Sequence, residues 1–201
     1  MTLIHWLVVI SALVSIAGSS AYIRDTLRGK TKPNLVTWSM WALAPLIGAG
    51  AALSAGADGW VTTRIFLAGF LPLLVVLVAF ANPKSYWKLT FFDFLCGACS
   101  LLALIAWLSF GLAVSAILLA AIGDGFAALP TLRKAWRFPE TETGAAYIAG
   151  LLSTLLVLPS IPVWNIENSA FQIYLLTANT LLIGLVYRKA ILAKLFGQSG
   201  V

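Results

Sequence analysis

Charge is what this chain has least of: only 10% of its 201 residues are Asp, Glu, Lys or Arg, against 61% hydrophobic residues. With a mean hydropathy of +0.96 it carries more apolar surface than a soluble core of this size can hide, which leaves an integral membrane protein. Histidine occurs once, as His5, so neither a histidine cluster for a metal ion nor a Ser-His-Asp relay can be assembled. Glycine-rich phosphate loops are lacking too. Cys96 and Cys99 are the only cysteines; they have redox spacing, but they fall in the inner half of an apolar run, away from an oxidising compartment, and no second pair exists to relay electrons. Enzymatic chemistry is not expected, and no cofactor or metal is implied.

Long apolar runs fill the chain instead. They fall at about 3–23, 34–55, 61–82, 90–108, 111–132, 144–162 and 169–187, each close to the ~20 residues that cross ~30 Å of hydrocarbon as helix. Lipid gives the backbone no hydrogen-bond partners and the runs do not alternate, so the expected fold is all-α, with seven transmembrane helices. Arg24, Arg28, Lys30 and Lys32 follow the first run, Lys84 and Lys88 the third, Arg133, Lys134 and Arg137 the fifth, and Arg188, Lys189 and Lys194 the seventh. The intervening connections contain no Lys or Arg. By the positive-inside rule the basic side is cytoplasmic, which puts the N-terminus outside and the C-terminus inside. The start of the chain lacks the basic region of a cleaved signal peptide, so the first run is expected to stay as a helix. A multi-pass protein of the plasma membrane, most simply a bacterial inner membrane, follows. The net charge of +6 needs no nucleic acid, because juxtamembrane Lys and Arg serve orientation and contact with anionic lipid.

The sequence also repeats itself. An apolar run, a basic stretch and a proline opening the next run occur at Arg24 to Pro33 and again at Arg133 to Pro139. Sliding the chain by about 106 residues pairs Ile16 with Ile122, Ala21 with Ala127, Pro33 with Pro139 and Thr37 with Thr143, with Arg28 opposite Lys134 and Trp41 opposite Tyr147. Seven runs then divide as three, one and three: residues 1–82 form a first three-helix repeat, 83–110 an inverting linker helix, and 111–201 a second repeat with a short cytoplasmic tail.

Asp124 to Glu142, with Pro130, Lys134 and Pro139, resembles the second repeat of the PQ-loop and SWEET-like membrane proteins, and Thr31 to Trp41, with Pro33, Asn34 and Trp38, resembles the corresponding loop of their first repeat. The resemblance is closest to bacterial members. It implies two three-helix bundles facing each other across a central path, with proline-bent helices that serve alternating access. This chain departs from the pattern in having Arg24 where repeat one would carry a late-helix proline, no Pro-Gln dipeptide, and no midpoint asparagine in the third run. Those departures argue against sugar transport of the SWEET type.

A central path needs polar groups at mid-depth. Asp124 lies about nine residues, or ~13 Å, from the inner boundary near Arg133, where a carboxylate costs several kcal/mol unless paired, hydrated or protonated. It is the candidate proton site. Asn179, near the centre of the seventh run and matching the asparagine that SWEET-like proteins carry there, is placed to meet Asp124 or a substrate. Gln172, Tyr174 and Thr177 are candidate lining residues, and Trp41, about 12 Å inside Pro33, is a candidate stacking surface. Pro33, Pro45, Pro130 and Pro139 are candidate hinges, Pro72 a candidate kink, and Trp38 a candidate inner gate. Glu140, Glu142 and Asp93 read as acids at helix starts, while Glu142 or Glu140 paired with Arg24 or Arg28 would form a cytoplasmic gate. Arg64 is expected to snorkel outward. Trp6, Trp60, Trp107 and Trp164 are expected in the outer aromatic belt, and Trp87 and Trp136 in the inner one. Gly48, Ala52 and Gly56 form a small-residue stripe suited to helix packing.

Two functional classes remain. One is a small-molecule transporter or facilitator, proton-coupled through Asp124, with an unidentified substrate. The other is a non-transporting polytopic protein, a receptor or complex subunit, that keeps the same fold. Besides the lipid bilayer no partner is implied, although a homo-oligomer stays open.

Overall fold

The computed structural model describes residues 3–57, 59–109, 113–161 and 163–196. Among these residues the chain forms seven α-helices: α1 Leu3–Leu27, α2 Leu35–Ser54, α3 Gly59–Ala81, α4 Phe91–Ser109, α5 Ala113–Arg137, α6 Gly144–Val157 and α7 Ile166–Phe196. Short 3-10 turns follow α3, α5 and α6. Five helices, α1 to α4 and α7, are long and apolar enough to cross a bilayer, as befits a multi-pass membrane protein.

Helix ends differ from the apolar runs where polar turns continue the helix. α1 runs to Leu27 and α5 to Arg137, so Arg24, Arg133 and Lys134 are helical rather than loop residues. α7, at 31 residues, is about 46 Å long, well beyond the hydrocarbon thickness. α1 stops at Gly29, whose φ of +72° is open to glycine at little cost; the backbone N–H groups of Gly29 and Lys30 bond to Thr26 and Asp25 carbonyls. The Asn82 amide also reaches this end, donating to Thr26 O and Leu27 O at 2.8 Å each. α2 starts on an Asn34 cap, whose side chain accepts from the N–H groups of Val36 and Thr37.

Pro45, Pro72 and Pro130 lie inside α2, α3 and α5, and each helix runs through its proline without unwinding. In packing order, α3 touches both α1 and α2, and α7 touches both α5 and α6. Across these triples α1 packs on α6 and α2 on α5, while α4 lies against α5 and α2. Glycine sets the closest approaches. A Cβ on Gly18 would sit 2.2 Å from the Ala149 Cβ of α6, and one on Gly69 would sit 2.8 Å from the Ala42 carbonyl of α2. The stripe expected from Gly48, Ala52 and Gly56 does not make such a seam: Gly48 meets only the ends of Ile65 and Trp107 side chains, and Gly56 stands past the end of α2 with φ +68° and open space around it. The best-buried aromatic core, Tyr22, Trp38 and Tyr147 with Val75, Val76, Ala135 and Leu182, gathers at the end of the bundle where α1 and α5 finish and α2 and α6 begin.

Candidate functional site

Two opposite ends of the bundle carry different chemistry. At one, a cavity of about 690 Å³ is lined by the early turns of α1, α3, α5 and α7 and the late turns of α2 and α4. Its apolar walls include Met40, Pro45, Trp107, Ile117 and Phe171, and its polar groups include His5, Arg64, Asp124 and Gln172. The alternation of helix directions brings these distant sequence positions to one level. Arg64 lies five residues into α3 and Gln172 six into α7, whereas Asp124 lies eleven into α5, about 8 Å deeper along the bundle.

Asp124 is held by one strong contact. The Tyr174 hydroxyl donates to Asp124 Oδ2 at 2.6 Å, a short charge-assisted bond linking α7 to α5. The Trp41 indole also lies beside this carboxyl. Arg64 forms no hydrogen bond or ion pair among the described residues. The Gln172 amide oxygen is likewise buried without a partner.

The other end is filled. The Lys134 ammonium meets Glu142 Oε1 at 2.7 Å, with both side chains withdrawn from solvent (1% and 0% exposed). Glu142 Oε2 accepts the hydroxyls of Tyr22 at 2.8 Å and Tyr147 at 2.7 Å. Lys134 also donates to the Lys32 carbonyl, so this one ion pair ties α5, α6, α1 and the α1–α2 connection together. Beside it Thr143 bridges Thr31 and the Asp25 carboxylate, the latter at 2.9 Å. Asn34 donates to Asp93 Oδ1 at 3.1 Å, adding α4. Between this network and Asp124 stand three packed rings: Tyr22 against Trp38 with centroids 4.5 Å apart, and Trp38 edge-on to Trp41 at 5.4 Å.

The sequence expectations divide accordingly. Asp124 and Gln172 line the cavity, and Tyr174 reaches Asp124 from a smaller neighbouring groove of about 320 Å³, which Thr177 also lines. Asn179 does not meet Asp124: its amide bonds to the Leu175 carbonyl of its own helix at 2.8 Å and packs over Gly150, where a Cβ would be 2.6 Å from its oxygen. Trp41 lies beside the Asp124 carboxyl and edge-on to Trp38, and does not line the cavity. Glu142 pairs with Lys134, not with Arg24 or Arg28; Arg24 turns instead to Asp25 at 3.4 Å, and Glu140 faces Lys189 at 3.7 Å. Asp93 does stand in the first turn of α4, where its Oδ2 accepts the Thr90 N–H and hydroxyl, and its other oxygen takes the Asn34 amide; Glu142 precedes α6 and is a buried hub. Arg64 lines the cavity instead of only snorkelling, and Trp60 and Trp107 face it rather than lipid alone. Pro33 and Pro130 are fully buried and Pro139 opens the turn that delivers Glu142, so the prolines frame the network. Cys96 is buried and Cys99 half-buried, and both are free thiols.

Lys134, Tyr22 and Arg64 had sequence signals only as a loop charge, an apolar-run residue and a helix-end cation. Compared with protein-family models, curated proteins and solved structures, the chain finds no match in any of the three.

Proposed function

We propose that the chain is a small-molecule transporter or facilitator of the plasma membrane, of the bacterial inner-membrane type. In this reading two three-helix repeats, residues 1–82 and 111–201, flank a linker helix, in the manner of SWEET-like proteins, with the N-terminus outside and the C-terminus in the cytoplasm. One observation carries it: a cavity reaches Asp124 from one end of the bundle, while a buried Lys134–Glu142 latch fills the other. A path open on one side and shut on the other is one state of an alternating-access cycle. The shared packing order, third helix against first and second in each triple, supports a duplicated scaffold. Twelve of the thirteen Lys and Arg residues lie towards the latch end, which the positive-inside rule assigns to the cytoplasm, so the cavity faces outward.

Asp124 is the coupling group of this reading. It is a carboxyl at mid-depth, met by Tyr174 and Trp41, with Arg64 and His5 nearer the mouth. Uptake of labelled solutes into proteoliposomes, with and without an inward acid gradient, tests both parts. We expect the gradient to raise uptake in the unaltered protein and to have no effect in Asp124→Asn. Uptake equal to that of protein-free vesicles across the panel would remove the transport proposal, and a gradient response retained by Asp124→Asn would remove proton coupling.

A further inference from the structure

We infer that the cavity takes an amphipathic organic carboxylate: its anionic group on Arg64, a polar group against the Gln172 amide, and an apolar body between Met40, Trp107 and Phe171. The assignment rests on the transport proposal for the site itself, and it adds the chemistry of the occupant.

Three observations converge on it. Arg64 is a permanent cation set about five residues inside α3, lining the cavity without a counter-ion or hydrogen bond among the described residues. A guanidinium in such a place is complementary to a carboxylate, which it can hold through two parallel N–H donors. Next, the Gln172 amide lies at nearly the same depth with its oxygen buried and unpartnered, an arrangement that an N–H or O–H of an occupant would satisfy. Finally, the walls are mostly aromatic and aliphatic, and about 690 Å³ is ample for a drug-sized molecule. A sugar fits this lining poorly, because each hydroxyl buried without a partner costs roughly 2–7 kcal/mol and few polar groups line the walls. With a proton on Asp124, a monoanion on Arg64 would cross together with that proton and move no net charge.

The carboxylate could arrive from water or from the bilayer, so the test separates the two sources. The full-length protein in nanodiscs of phosphatidylcholine is titrated by calorimetry with 4-phenylbutyrate, with its uncharged amide, and with decanoate as the lipid-derived carboxylate. Binding of phenylbutyrate about ten- to a hundredfold tighter than its amide is expected, the range for a hydrogen bond to a charged group. Arg64→Gln should erase that preference and Arg64→Lys should keep part of it. Tight binding of decanoate alone, lost in Arg64→Gln, supports the same chemistry with a bilayer source. Equal binding of acid and amide by the unaltered protein overturns the inference without need of a variant, as does a preference that survives Arg64→Gln. Asp124-dependent uptake of an uncharged solute, with no carboxylate binding, would leave the transport proposal standing and remove this one. Carboxylate binding with no uptake of any solute would do the reverse.

Discussion

Removing either side chain of the Lys134–Glu142 pair leaves the other charge in a place that water does not reach. Loss of one partner of a buried pair costs about 3–5 kcal/mol, while replacing both by apolar groups costs much less. The two single changes are not equivalent here. Lys134→Met leaves Glu142 with the Tyr22 and Tyr147 hydroxyls still donating to it, whereas Glu142→Leu strips Lys134 of its counter-ion and orphans both hydroxyls. We expect melting temperature in detergent to fall in the order Glu142→Leu, then Lys134→Met, with the double variant more stable than Glu142→Leu. Additive losses in the double variant would show that the two groups do not act as a pair. The sequence alone read Glu142 as an acid at a helix start, with a gate to Arg24 or Arg28 as the alternative, and Lys134 as a loop charge. α5 continues to Arg137, so Lys134 is a helical residue in its last turn, and its buried ammonium reaches Glu142. Asp124 was legible, by contrast, since a lone carboxylate in an apolar run is conspicuous whatever its neighbours.

Among the elements, the α1–α6 contact depends on the absence of a side chain at Gly18, with Ser15 and Ser153 hydroxyls joined at 3.0 Å on the same face. A methyl at Gly18 would overlap the Ala149 Cβ at 2.2 Å and press on the Ala145 carbonyl at 3.1 Å, and neither atom ends a flexible chain. Overpacking of this kind costs about 1–3 kcal/mol. Gly18→Ala should therefore lower the melting temperature, and adding Ala149→Gly should restore most of the loss; no recovery in the double variant would mean that backbone contacts, not the two Cβ atoms, set the spacing. Helix existence and approximate bounds could be read from apolar run length. Facing could not. α1 and α2 are apolar on nearly all sides, so their sequences carry no stripe to say which residue meets a neighbour, and Trp60, Trp107 and Arg64 were given a depth but no direction. Asn179 likewise had a depth but no direction in the sequence; its amide donates to the Leu175 carbonyl of its own helix and its oxygen packs against Gly150.

At the scale of the whole molecule, the layer between cavity and latch holds two buried hydroxyls with no hydrogen-bond partner among the described residues, Thr37 Oγ1 and Thr131 Oγ1. Each such orphan costs about 1–3 kcal/mol, and two in one layer call for a cause. The transport reading proposed above offers one, because in it these atoms would meet water or solute once the latch end opens. Thr131, fully buried, lies one turn before Lys134 on the same face of α5, so opening at the latch should uncover it first. In a protein freed of Cys96 and Cys99 by alanine substitution, a membrane-impermeant thiol reagent applied from the latch end should fail to label Thr131→Cys. Adding Glu142→Gln weakens the latch while preserving side-chain shape, and labelling should rise severalfold as the population shifts. Ala68→Cys, in the cavity lining, should show the opposite change when the reagent is applied from the cavity end, losing reactivity as the state open at that end is depleted. A rise at both positions would point to general loosening of the bundle, and no change at either would mean that the buried ion pair does not hold the closed end shut.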